Sequence, residues 1–271
     1  MKRAMLPERW ERIIDLVEKQ GRASIEEIAQ SIGVSLPTVR RDLAHIHRRG
    51  MIKRLRGAAE PAEFARPPIT LAESRHINPT EKELIGRAAA ALIEPGECVM
   101  LDGGFTTYQV ARYLPGDLTV VTNSLDVAQA VATRKDTSLV VLGGLLMVES
   151  GTTVGPTTER HILELVADKA ILGANAFSPV DGLCADVQLV AEVKKAMIRS
   201  CREVIVVADA DKLGKSALYR AAPPEAVSTL VTDDRADESI VEAIRAAGVK
   251  VVVADSRTEI SASLVHGGCA Q

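Results

Sequence analysis

The sequence predicts a two-part α/β chain, an N-terminal winged helix-turn-helix followed by an open, doubly wound α/β domain. Three observations predict it. Apolar residues recur at helical spacing on both sides of a tight glycine turn before residue 50, and seven short β-branched runs alternate with helical patterns from residue 81 onward. The charge also changes sign along the chain. Residues 1–60 hold 13 Lys/Arg against 8 Asp/Glu, a net +5, whereas the remainder carries −8. A basic segment of that size suits an anionic polymer and the acidic part would repel one, so the two parts have different partners.

Composition narrows the class. With 271 residues and 46% hydrophobic content, the chain can bury one small and one large core. No apolar run approaches the roughly 18 residues that argue for a membrane span. The opening "MKRAMLPERWERIIDLVEKQ" carries charges where a signal peptide needs an apolar stretch, so a cytoplasmic protein with no membrane partner is expected. Cys98, Cys184, Cys201 and Cys269 lie far apart without a C-x-x-C pair. Neither a zinc site nor a disulfide framework is indicated, and no metal or cofactor is expected.

The N-terminal elements follow in order. Trp10, Ile13, Ile14 and Val17 form a helical stripe between Pro7 and Gly21. "SIEEIAQSIG" opens with the S-x-x-E spacing of a capping box at Ser24 and Glu27, turns Ile25, Ile28, Ala29 and Ile32 inward, and ends at Gly33. After the turn "GVS", Ser35 is placed to cap a third helix and Pro37 sits in its first turn, where a missing N–H costs nothing. Leu36, Val39, Leu43 and Ile46 form the predicted inward stripe of that helix.

Its opposite face carries Thr38, Arg41, His45 and Arg48, with Arg40 on the flank. Helix, glycine turn and second helix with a polar outward face is the arrangement whose second helix enters the DNA major groove. Arg41 is expected at base edges and Arg40 at a phosphate. "MIKRLRG" then alternates Ile52 and Leu55 with Lys53, Arg54 and Arg56, as in a basic wing with charges for the phosphate backbone. The expected DNA-facing set is thus Ser35, Pro37, Thr38, Arg40, Arg41, His45, Arg48, Lys53, Arg54 and Arg56.

Residues 1–57 form the DNA-binding domain in this reading. Residues 58–80 are rich in Pro and Ala, with Pro67 and Pro68 keeping them extended, and read as a linker. Residues 81–271 form the large domain. Its seven runs "ECVMLD", "LTVVT", "SLVVLGG", "KAILGA", "EVIVVADA", "VSTLVTD" and "VKVVVAD" imply a parallel sheet covered on both faces. Ligands of such folds bind at the carboxyl ends of the strands. There the chain places Asp102, Gly103 and Gly104, then Thr122, Asn123 and Ser124, then Gly143 and Gly144, then Gly173, and finally Asp209 with Lys212.

The most informative of these ends is "VMLDGGFTTYQVARYL", where two glycines turn the backbone closely and Thr106 and Thr107 open a helix whose first amides suit a phosphate. It lacks both the G-K-[ST] of a nucleotide P-loop and the G-x-G-x-x-G dinucleotide spacing. Lys212 can supply a point charge to a phosphoryl group. Asp181 and Glu192 are candidates to accept hydrogen bonds from a ligand; Glu192 and Lys195 also have the spacing of a surface ion pair.

Two groups of motifs carry a family resemblance. "EEIAQSIGVSLPTVRRDLAHIHRRGMIKRLRGAA" contains a full V-S-x-x-T-x-R-R-D-L core, and "DGGFTT", "TNS", "LGG", "DGLCADVQLVAEVKKAMI" and "ADADKLGK" extend the likeness over nearly the whole chain. The sequence resembles the DeoR-type family of bacterial transcriptional regulators of sugar metabolism. It departs at Ala58, where family members usually carry a second glycine, and at Cys184, where they often have threonine. The resemblance implies a large domain similar in fold to ribose-5-phosphate isomerase and an effector that is a phosphorylated sugar. It matches Asp102–Thr107 to the phosphate-side loop and Lys212 to the lysine of the isomerases' D-x-x-K motif.

The expected function is a DNA-binding transcriptional regulator, a repressor of a carbohydrate-catabolism operon controlled by a phosphorylated sugar, with no catalytic residues. Its expected partners are operator DNA, that effector, and further copies of itself in a dimer or tetramer, since paired modules on repeated half-sites multiply affinity. The alternative is a sugar-phosphate isomerase fused to a DNA-binding module, with Glu192 as base. "GANAFSPVDG" speaks against it, because the D-G-A-D-E run of the related isomerases is missing.

Overall fold

A computed structural model describes residues 8–20, 22–48, 52–55, 57–61 and 71–255. The chain divides into two compact units, Met1–Pro68 and Ile69–Gln271.

The first unit runs α1 (Glu8–Gln20), β1 (Ala23–Ser24), α2 (Ile25–Ile32), α3 (Leu36–Arg48), β2 (Ile52–Leu55) and β3 (Ala58–Pro61). The predicted capping box is present: Ser24 Oγ accepts from the Glu27 amide at 3.1 Å while Glu27 accepts from the Ser24 amide at 2.7 Å. Gly33 ends α2 with φ +78°, a left-handed turn that leaves glycine the least strained residue there. Ile13, Val17, Ile28, Val39, Leu43 and Ile46 are fully buried in one cluster.

Two details differ from the sequence reading of this unit. Leu36 is 37% exposed and does not continue the inward stripe of α3, because it occupies the first helical position, beyond the reach of the core below Val39. Residues 58–61, assigned to the linker, instead pair with β2 in a hairpin and with β1 in the order β1-β3-β2. Ala58 and Ala59 are buried there, so small apolar residues in a short run formed a strand that composition read as tether.

In the second unit, α4 (Leu71–Ser74) and α5 (Pro79–Ala90) precede β4 (Cys98–Leu101), α6 (Phe105–Tyr113), β5 (Leu118–Thr122), α7 (Leu125–Val131) and β6 (Thr137–Val141). A hairpin of β7 (Leu145–Met147) and β8 (Thr152–Val154) leads to α8 (Pro156–Leu163) and β9 (Ala167–Gly173). Then come β10 (Ala176–Ser178), β11 (Gly182–Ala185), α9 (Gln188–Arg199), β12 (Cys201–Val207), β13 (Tyr219–Ala222), β14 (Thr229–Asp233), α10 (Glu238–Ala246) and β15 (Lys250–Ala254).

The seven predicted apolar runs are the seven strands of one sheet, ordered β15-β14-β12-β9-β4-β5-β6 with every pairing parallel. One face packs Ile85, Val110 and Val127 of α5, α6 and α7. The other packs Ile162, Met197 and Ile244 of α8, α9 and α10, together with Phe177 and Leu183 of the small antiparallel sheet β10-β11-β13. After β4 the chain moves outward through β5 and β6, then returns to the other side of β4 at β9. The switch point of the topology therefore lies between the carboxyl ends of β4 and β9, where open α/β sheets form their crevice. Among the described residues, no helix is long and apolar enough to cross a membrane.

Candidate functional site

The first unit presents α3 through a rigid mount. Asp42, 4% exposed, points from α3 to α1, where it accepts from Arg9 Nε at 2.7 Å, Arg9 Nη2 at 3.0 Å and Trp10 Nε1 at 2.9 Å. Burial pushes the Asp42 carboxyl up, but these donors outweigh it and hold the group below the usual carboxylate range. Trp10 also stacks on His45, with ring centroids 5.5 Å apart, so the predicted DNA-contacting histidine is half-buried against α1. Ser35 Oγ lies 2.8 Å from Thr38 Oγ1, and the Ser35 carbonyl accepts from the Val39 amide at 3.0 Å.

Ser35, Pro37, Arg40 and Arg41 are exposed, and Thr38 is half-buried. Consecutive positions on a helix are separated by about 100°, so Arg40 and Arg41 leave α3 in different directions. The side chains of Arg48, Lys53 and Arg54, and Arg56 altogether, lie outside the described residues.

In the second unit, the carboxyl edge of the sheet gathers most of the predicted ligand residues. At the switch point, Asp102 follows β4 and Lys194 comes from α9. Each of their side chains is 4% exposed, and they form a direct ion pair. Lys194 Nζ also donates to the Gly173 carbonyl at 2.7 Å, and the Gly173 amide donates to Asp102 Oδ1 at 2.9 Å. Three segments, the ends of β4 and β9 and the middle of α9, are thereby closed on one buried carboxylate. Burial pushes that carboxyl up, against the pull of the Lys194 ammonium.

The following loop is built for close approach. A Cβ on Gly103 would sit 1.9 Å from Thr152 Cγ2, and Gly104 has φ +143°, a conformation side chains rarely adopt. Gly104 caps α6 without a side-chain hydrogen bond, so the first-turn amides of α6 are left to other acceptors. Thr107 Oγ1 donates back to the Gly104 carbonyl at 2.9 Å and is buried, whereas Thr106 is half-buried beside it.

Other predicted residues shape neighbouring loops. Thr122 Oγ1 donates to the Leu101 carbonyl at 2.7 Å, and Ser124 caps α7. Asn123 Nδ2 donates to the Thr153 carbonyl at 2.8 Å, while its buried Oδ1 has no hydrogen-bond partner among the described residues. Thr158 Oγ1 donates to the Gly143 carbonyl at 2.8 Å, and a Cβ on Gly144 would strike that same hydroxyl.

Asp209 follows β12 and is 1% exposed. Its Oδ2 lies 3.8 Å from the buried Lys82 ammonium, and burial raises its carboxyl against the pull of Lys212 and Lys82. Lys212 is half-buried in the short 3-10 turn Ala210–Lys212.

Three predicted residues do not join this group. Asp181 accepts from Ser216 and Arg220, locking the β10–β11 turn to β13 and the approach to it. Glu192 and Lys195 form the i,i+3 pair at 2.8 Å, both side chains about one-third exposed. The inward lysine of α9 is Lys194, and its partner in importance is Lys82. Neither was predicted, although a signal existed. Lys194 lies three residues from Ala191 and from Met197, and Lys82 three before Ile85, all on buried stripes. Among the described residues, no cluster of three His, Cys, Asp or Glu side chains could hold a metal ion.

Two family models match the chain. The family model of the DeoR-like helix-turn-helix domain matches residues 9–63, and that of the DeoR C terminal sensor domain matches residues 77–234. The HTH-type transcriptional regulator GlpR of Haloferax volcanii is 34% identical over 92% of this chain and 98% of its own. The transcriptional repressor AccR of Agrobacterium fabrum is 31% identical over 88% of this chain and 93% of its own. Among solved structures, the full-length sorbitol operon regulator SorC from Klebsiella pneumoniae is 14% identical, covers 87% of this chain and 97% of its own, and has a TM-score of 0.41.

Proposed function

The chain belongs to the DeoR family of DNA-binding transcriptional regulators, and on that premise we propose that it represses a carbohydrate-catabolism operon under the control of a phosphorylated sugar. It is a regulator and not an enzyme. Residues up to the hairpin at Pro61 bind operator DNA, residues 81 onward sense the effector, and the stretch between them couples the two. The protein acts in the cytoplasm as a dimer or tetramer, which pairs its DNA-binding units on repeated half-sites.

The observation that carries the effector reading is the loop after Asp102. At the switch point it offers an α6 N-terminus whose cap, Gly104, contributes no side-chain hydrogen bond, with Thr106 beside it. Amides at a helix start favour an anion, and a phosphoryl group fits them without needing a nucleotide loop. Lys212 adds a cation at the same sheet edge. The buried Lys194–Asp102 pair fixes the loop's geometry in advance, so little ordering remains for the ligand to impose.

Thermal-shift screening against pentose and hexose phosphates, with the unphosphorylated sugars alongside, tests the reading. A ligand at 100 times its dissociation constant adds about 2.7 kcal/mol of stability. Stabilisation confined to the phosphorylated compounds is expected. Equal stabilisation by the parent sugars, or none by any phosphate, would overturn it.

A further inference from the structure

The segment 74–78, which follows the connection from the first unit, is fastened to groups that follow the carboxyl ends of three strands, β5, β12 and β14. Lys82 Nζ donates to the Ser74 carbonyl at 2.9 Å and to Ser74 Oγ at 3.1 Å, and the same ammonium faces Asp209. Arg75 Nη2 donates to Asp126 Oδ1 at 2.6 Å, and its guanidinium lies 5.7 Å from the centroid of the Tyr108 ring. Asn78 Nδ2 donates to Asp211 Oδ2 at 2.8 Å, and Asn78 Oδ1 accepts from Arg235 at 3.2 Å.

All of these anchors but Arg235 stand beside a residue of the candidate effector site. Asp126 is two residues from Ser124, Tyr108 follows Thr107, and Asp211 precedes Lys212, while Asp209 is itself a member. A segment tied to one loop would report only that loop. Tied to three, it responds when a ligand draws them together.

The fastenings also differ in strength. Lys82 and Asp209 are 4% and 1% exposed, a pair too costly to separate, so Ser74 is a fixed pivot. The Arg75 side chain is 46% exposed, and ion pairs in that setting are weak enough to exchange. Asn78 holds φ +49°, a left-handed conformation uncommon outside glycine, kept in place by its two side-chain hydrogen bonds.

Resting on the effector reading above, we propose that residues 74–78 are the coupling element of this regulator: Ser74 is the pivot on Lys82, and Arg75 and Asn78 are releasable latches that read the strand-end loops and pass their state to the chain leading to the DNA-binding unit.

The test needs no effector. Coupling is reciprocal, so DNA bound at the first unit must alter the latches from the other side. Hydrogen exchange of the full chain is measured free and bound to a duplex that the wild type selects from a random-sequence library. In the wild type, protection at 74–78 and at 210–213 should change by roughly fivefold or more, the lower end of ordinary coupling between sites. In the Arg75→Ala, Asn78→Gly double variant, 210–213 should stay unchanged on binding the same duplex. Arg75 is at the surface and glycine accepts the left-handed φ, so this variant retains the fold.

A wild-type response confined to residues 8–61 would overturn the proposal. So would a variant that transmits the change to 210–213 undiminished. Failure of the phosphorylated-sugar reading would appear separately, in the thermal-shift screen.

Discussion

Lys194 in the middle of α9 and Asp102 at the end of β4 form an ion pair that is almost wholly removed from water, and it sits where the strand order of the sheet reverses. Removing one partner of a buried pair leaves an uncompensated charge and costs about 3–5 kcal/mol. Lys194→Met should lose stability of that order in urea denaturation. Burial already pushes the Asp102 carboxyl up, and without the ammonium it rises further. A carboxyl raised in the folded state favours folding below its unfolded pKa of about 3.9 and loses that contribution as pH rises through the folded value. The deficit of Lys194→Met relative to wild type should therefore shrink from pH 8 toward pH 4. A deficit independent of pH would show that Asp102 does not carry the missing charge.

Gly103 and Thr152 set how closely the loop after Asp102 packs. In Gly103→Ala the new Cβ would overlap Thr152 Cγ2, an overpacking that costs about 1–3 kcal/mol. Thr152→Ser removes only that methyl and keeps the hydroxyl that lies 2.7 Å from Ser150 Oγ. The double variant should recover most of the loss in a melting experiment. Additive losses in the cycle would mean that the backbone conformation, and not the methyl, demands glycine there.

Asp42 is expected to matter to DNA binding without touching DNA. Asp42→Ala removes three charge-assisted hydrogen bonds that mount α3 on α1, each of a class worth about 1.5–3 kcal/mol, reduced here because the Arg9 side chain is 42% exposed. The carboxyl is held below its unfolded pKa, so its stabilising contribution is present above that value and lost as pH falls through the folded one. Melting followed by Trp10 fluorescence should show the first unit weakening below about pH 4 in the wild type, with less dependence in the variant. Equal acid sensitivity in both would remove Asp42 from the account.

The large sheet was legible because each of its strands is a continuous apolar run bounded by turn residues, which is what burial on both faces requires. The hairpin β7–β8 and the sheet β10-β11-β13 were not. "LLM", "AFS" and "GLCA" are three or four residues long, too short for a period of two to register. At the site, glycines and threonines were legible because backbone turns leave a local signature. Lys82 and Lys194 were not read as site residues, because lysine on a helix is ordinarily solvated and only its register with Ile85, or with Ala191 and Met197, places it inward. Lys195, one position on, carries the same charge to the surface pair with Glu192.

On the DNA side, Arg41→Ala should lose about 1–3 kcal/mol at the operator and little on scrambled sequence, whereas Arg40→Ala should weaken both alike. Competition between the two duplexes measures the difference. Equal losses on both sequences for Arg41→Ala would make it a phosphate contact and leave base reading to other residues of α3.

Operator affinity titrated with the stabilising sugar phosphate, for the wild type and for Lys212→Ala, decides whether a phosphorylated sugar held near Lys212 controls DNA binding. A coupling free energy of about 1–3 kcal/mol changes wild-type operator affinity 5- to 150-fold. In Lys212→Ala a cation at that sheet edge is removed, and loss of a charged hydrogen bond worth about 1.5–3 kcal/mol shifts the midpoint at least tenfold upward. The plateau should match wild type, because the lysine lies in the sensing unit and the DNA-bound states are unchanged. A midpoint identical to wild type, or an operator affinity that no sugar phosphate alters, would contradict the account.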